Sequence, residues 1–81
     1  MATILVVDDE ASIRRTLREI LEYEDYGVDA VVDGEEALSA IRSNAYDLVL
    51  LDVKMPKLDG TEVLKAIGAE APELPVGMIT G

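Results

Sequence analysis

Three aspartates stand at the ends of two apolar runs, and their placement sets the chemistry open to this chain. The first run, Ile4-Leu5-Val6-Val7, leads into Asp8-Asp9-Glu10; the second, Leu48-Val49-Leu50-Leu51, leads into Asp52. A short apolar run bounded by polar residues is the pattern of a strand buried in a parallel sheet. In open α/β sheets, sites form just beyond the carboxyl ends of the strands, near where the winding reverses. If the two runs are neighbouring strands, Asp8, Asp9 and Asp52 converge. Two unit charges about 4 Å apart repel by about 4 kcal/mol at an effective dielectric of about 20. Such a cluster needs raised pKa values or a bound dication. Mg2+ suits two carboxylates, a backbone carbonyl and waters, and a carboxylate beside it can attack phosphorus to give an aspartyl phosphate.

A plainer role is open to the first group. Asp8, Asp9 and Glu10 precede a helical pattern, where carboxylates cap free N–H groups and oppose the positive end of the helix dipole. Asp52 is different, because it follows four large apolar residues and precedes a loop rather than a helix. Thr80, at the end of the last apolar run, is either an ordinary strand-end threonine or a hydroxyl projecting into the same cleft.

The elements that must position these groups alternate. Residues 3–8 read as a strand. Ile13, Leu17, Ile20 and Leu21 then recur at helical spacing, with Arg14, Arg15, Arg18, Glu19 and Glu22 on the other face. Gly27 opens a second strand through Val28, Ala30, Val31 and Val32. Asp33 is an N-cap, with Glu36 as capping-box partner, for a short helix carrying Ala37, Leu38 and Ile41. Residues 47–52 form a third strand, Lys54 to Gly60 a loop, and Val63, Leu64 and Ile67 mark a third helix. Pro75 introduces a last strand, Val76 to Thr80. Gly77 within it is unexpected, since glycine weakens a strand interior, and it suggests close approach of another backbone. The order βαβαβαβ implies a parallel sheet with right-handed crossovers and helices on both faces. A final apolar strand with nothing after it to cover it reads as the end of a truncated domain.

Composition narrows the function. At 81 residues there is room for one small domain. Seven basic against 17 acidic residues give a net charge of −10, which argues against direct nucleic-acid binding and favours cations or basic partner surfaces. The absence of cysteine excludes disulfides, and the absence of histidine removes the commonest acid–base catalyst. No stretch approaches the roughly 18 apolar residues of a membrane span, and the start lacks a signal-peptide pattern, so a cytoplasmic location is the default.

Val6-Val7-Asp8-Asp9-Glu10, Leu51-Asp52-Val53-Lys54-Met55-Pro56, Asp59-Gly60 and Met78-Ile79-Thr80 together resemble the successive signatures of a response regulator receiver domain. All 81 residues fit the family's order and spacing. The resemblance implies a flavodoxin-like (CheY-like) doubly wound parallel sheet, of which residues 1–81 are a partial domain lacking the last helix–strand–helix portion. It implies Asp52 as the phosphoacceptor, Asp9 and the backbone carbonyl of Lys54 as direct Mg2+ (or Mn2+) ligands, Asp8 holding the metal through water, and Thr80 as a switch hydroxyl. By the same resemblance, a sensor histidine kinase supplies the phosphoryl group and an output domain beyond residue 81, of transcriptional type, is switched. Receivers of this kind catalyse their own phosphorylation and dephosphorylation without being turnover enzymes. Ala11 to Leu21, with Tyr23, is similar to the first helix of receivers on sigma-54-dependent transcription activators. The family also uses a lysine and an aromatic residue on a fifth strand, which lie beyond Gly81.

Competing readings fit less well. A haloacid-dehalogenase-type phosphatase needs a second acid two residues after its nucleophile, where Lys54 stands. Glycine-rich nucleotide-binding patterns are absent. The remaining alternative is a truncated receiver without phosphotransfer activity, a folding or self-association unit pairing through the open edge of its fourth strand.

Overall fold

A computed structural model describes residues 2–52 and 60–79. Four strands, β1 (Thr3–Val7), β2 (Gly27–Val31), β3 (Leu48–Asp52) and β4 (Val76–Ile79), alternate with three helices, α1 (Ala11–Tyr23), α2 (Gly34–Ser43) and α3 (Gly60–Glu70). The strands form one parallel sheet in the order β2-β1-β3-β4. The winding therefore reverses between β1 and β3, as the flavodoxin-like expectation requires.

Alternation along each strand divides the core. Leu5, Val7, Val49 and Leu51 point to one face, where Ala37 of α2 and Val63 and Ile67 of α3 close over them. Ile4, Val6 and Val28 point to the other, where Leu17 and Leu21 of α1 pack. β1 is buried on both faces, and β3 is buried on one and half-buried at Leu48 and Leu50 on the other, which is why both read as unbroken apolar runs.

Local signals act as their chemistry dictates at α2. The Asp33 carboxylate accepts the Glu36 N–H at 2.8 Å, and the Glu36 carboxylate reaches back to the Val32 N–H at 3.0 Å. The capping box is thus displaced by one residue on its return arm, which grips the residue before the cap.

One assignment of helix faces needs correction. In α1, Ile13 is 38% and Ile20 55% exposed, whereas Arg14 is partly buried beside Leu17 and Leu21. Arg14 and Arg18 hydrogen-bond the carbonyls of Asp8 and Val28, respectively, both at 2.9 Å. A long stem with a charged tip can occupy an inward position wherever carbonyls lie at the tip. In α3, Leu64 is exposed while Val63 and Ile67 are buried.

Gly77 also differs from expectation. A Cβ built there meets Leu50 Cδ2 at 3.1 Å, and the nearest backbone atom, the Val49 carbonyl oxygen, lies at 3.9 Å. A neighbouring side chain, rather than another backbone, fills the space a larger residue would take.

Candidate functional site

Parallel pairing matches Val7 with Leu51, so Asp8 and Asp52 come level one residue further on. The sheet delivers both carboxylates to the same end of adjacent strands at the reversal of winding. Oxygens of Asp8, Asp9 and Asp52 all lie within 4.8 Å of one another. Asp8 is buried, Asp52 half-buried and Asp9 exposed, so the cluster grades from the protein interior to solvent.

Asp8 is the only buried charged side chain among the described residues, at 2% exposure. Burial pushes its carboxyl above the ordinary carboxylate range. The Glu10 N–H bond opposes this, while the charges of Asp52, Asp9 and Glu10 add to it. That hydrogen bond is made by Asp8 Oδ1 at 2.9 Å. The Asp8 main chain is held from both sides, its N–H donating to the Val31 carbonyl at 3.1 Å and its carbonyl accepting from Arg14 Nη1 at 2.9 Å. The turn bearing Asp8 and Asp9 is therefore fixed by β2 and α1 together.

The capping alternative for this segment does not describe α1. Glu10 occupies the N-cap position without a side-chain cap bond, and Asp8 bonds the Glu10 N–H ahead of the helix. Neither Asp8 nor Asp9 forms an ion pair among the described residues. A partly desolvated group of three carboxylates is a donor set suited to a hard dication.

Asp8, Asp9 and Asp52 are thus brought together as the sequence suggested, whereas Lys54 and Thr80 lie outside the described residues. Arg14 is the positioning residue that sequence reasoning missed. Its spacing to Leu17 and Leu21, three and seven residues on, was the available signal, masked by its charge.

Comparison with known proteins agrees with this fold. The family model for the response regulator receiver domain matches residues 4–81. A curated relative, response regulator MprA of Mycobacterium sp. (strain KMS), is 44% identical over 77 residues, which cover 95% of this chain and 34% of that protein. The chain thus spans about a third of the length of the curated relatives it matches. The response regulator TrrA of Thermotoga maritima, crystallised with Mg2+–BeF, is 44% identical with a TM-score of 0.93 over 99% of this chain and 70% of that one. In a complex of histidine kinase ThkA with TrrA, the matching chain is 43% identical with a TM-score of 0.93, covering 100% of this chain and 70% of that one. A CheY-like receiver protein of Methanospirillum hungatei superimposes with a TM-score of 0.95 at 34% identity, over 100% of this chain and 65% of that one. With four parallel strands in this order and three carboxylates gathered at the winding reversal, the chain belongs to the response regulator receiver domain family of two-component signalling.

Proposed function

We propose that Asp52 accepts a phosphoryl group from a histidine kinase, with Asp8 and Asp9 holding the Mg2+ that this transfer requires. The observation that carries the reading is the approach of the three carboxylates to within 4.8 Å. A bound Mg2+ neutralises charge on phosphoryl oxygens. Asp52 supplies the nucleophilic oxygen, which bonds to phosphorus as the P–N bond of the donor phosphohistidine breaks and the imidazole leaves. The donor histidine comes from the partner, since this chain has none. Asp8 is buried and fixed by Glu10 N–H, so its role is to hold charge in place, while exposed Asp9 is the better placed to meet an incoming ion. The Lys54 carbonyl completes the metal ligands and the Thr80 hydroxyl follows the phosphoryl group, on the family resemblance.

The kinase partner is supported by the ThkA–TrrA complex of a relative, and an output domain by the greater length of the MprA relatives. Transcription is the output proposed, in the cytoplasm. No helix among the described residues is long and apolar enough to cross a membrane. Incubation with a phosphorylated histidine kinase and Mg2+ tests the assignment. Wild type should take up label, whereas Asp52→Asn, which keeps the shape without the nucleophile, should take up none. Label that persists elsewhere in Asp52→Asn refutes it.

A further inference from the structure

Positive charge is scarce on this chain, with 7 basic against 17 acidic residues, yet Arg14, Arg15 and Arg18 gather on one stretch of α1. They line a cleft of about 320 Å3, whose fourth member is Ala30 of β2. Arg14 and Arg18 each give one N–H to a carbonyl, and Arg15 has no hydrogen-bond or ion-pair partner among the described residues. Among the described residues, no carboxylate forms an ion pair with any of the three guanidiniums. In so acidic a chain, three such arginines around one cleft mark a place for an anionic ligand.

The floor of the cleft says what kind. β2 ends the sheet, so one side of it has no strand partner among the described residues. The Gly27 N–H reaches the Ala2 carbonyl and the Val31 carbonyl takes the Asp8 N–H, so the odd-numbered residues of β2 face β1. Val28 and Ala30 therefore turn their backbone groups to the open side. Arg18 covers the Val28 carbonyl and Glu36 covers the Val32 N–H, which leaves a short window centred on Ala30. An inorganic anion would use only the donors of this window. An extended peptide would use both donor and acceptor while presenting alternate side chains to the arginines.

We infer that the α1–β2 cleft is a docking groove for an extended acidic segment of a partner protein, which adds a short strand at Ala30 and places carboxylates on Arg14, Arg15 and Arg18. The groove shares Arg14 with the turn that carries Asp8, but the inference does not depend on the phosphoacceptor reading.

A fluorescein-labelled peptide alternating glutamate and threonine is the probe, with binding followed by fluorescence anisotropy at low salt. Arg15→Glu, at an exposed residue with no partner to lose, should weaken binding by about tenfold or more, the worth of one charge-assisted contact. Arg15→Lys should fall between the two. Two further peptides carry N-methyl groups on the glutamates or on the threonines. Only one set of amides can face the β2 edge, so one methylated peptide should bind like the parent and the other should lose binding. Equal binding of both methylated peptides, or displacement of the parent peptide by equimolar tripolyphosphate, would overturn the proposal in favour of simple anion binding. Absence of binding by wild type overturns it outright.

Discussion

The Tyr46 hydroxyl donates a 2.7 Å hydrogen bond to Asp29 Oδ2, joining the chain entering β3 to the edge strand β2 across the width of β1. The ring packs against the α2–α3 side of the core while the phenol meets the carboxylate. Burial, together with the Asp29 bond and charge, raises the phenol from its ordinary 10.0 to about 12.

The fold thus favours the protonated phenol. Stability from this group is complete below pH 10.0, its ordinary value, and is lost as pH rises from there through about 12. Tyr46→Phe should cost about 1 kcal/mol at neutral pH, since the bond to an exposed carboxylate is partly screened. It should also flatten the loss of stability in that alkaline window. Urea unfolding of both proteins at a series of alkaline pH values checks the sign. Parallel curves for the two proteins would exclude Tyr46 as the titrating group.

Helix α1 ends in a left-handed residue, Asp25, with φ of 68°. The Tyr26 N–H returns to the Leu21 carbonyl at 3.1 Å and the Asp25 N–H to the Glu22 carbonyl at 3.0 Å, the paired bonds of a Schellman closure. Glycine adopts this conformation without the Cβ penalty, so Asp25→Gly should stabilise by roughly 0.5–1 kcal/mol. Thermal unfolding should show a midpoint a few degrees higher, and a lower midpoint would mean that the Asp25 side chain does more than tolerate the turn.

At Gly77, the obstructing atom is the far end of a flexible leucine. Gly77→Ala should therefore fall within about 0.5 kcal/mol of wild type, because a small shift of Leu50 is offset by the better strand propensity of alanine. Gly77→Val adds two methyl carbons beyond a Cβ already tight at 3.1 Å and should cost about 1–3 kcal/mol. Denaturant unfolding of the two variants tests that ordering. Equal losses would point to backbone crowding instead of Leu50.

Legibility followed the strength of each local constraint. Val6, Val7, Val49 and Leu51 are fully buried, so their runs signalled strands plainly, and the convergence of Asp8 and Asp52 followed from one assumption about strand order that the β1–β3 pairing fulfils. Asp33 and Glu36 were legible because a cap is decided within four residues. Arg14 and Arg18 were not, because periodicity sorts residues by polarity. The carbonyls that accept from them belong to the β1 end and to β2, and only the folded chain brings these within reach. Ile13 and Ile20 were misplaced for the same reason: partly buried Arg14 shares a stripe with Leu17 and Leu21.

The acidic cluster makes the most direct link between stability and function. Because the Asp8 carboxyl is raised above its ordinary 3.8, the fold favours its uncharged form. The stability this group contributes is present below 3.8 and is lost as pH rises through its folded-state value, so at neutral pH without a dication Asp8 works against folding. Asp8→Asn keeps an oxygen for the Glu10 N–H and removes the charge from among Asp9, Asp52 and Glu10. In EDTA, the variant should therefore be more stable than wild type by roughly 1–2 kcal/mol, a typical scale for single substitutions. Mg2+ should reverse the order, since binding to the native state stabilises wild type in proportion to affinity and the variant much less. Calorimetric titration should show weaker binding in Asp8→Ala and weaker still in Asp9→Ala, whose side chain faces solvent at the mouth of the cluster. Thermal midpoints with and without Mg2+ decide the matter. If Asp8→Asn lowers the midpoint in EDTA, the carboxylate is held by interactions stronger than the repulsion around it, and the tension attributed to the empty cluster is not there.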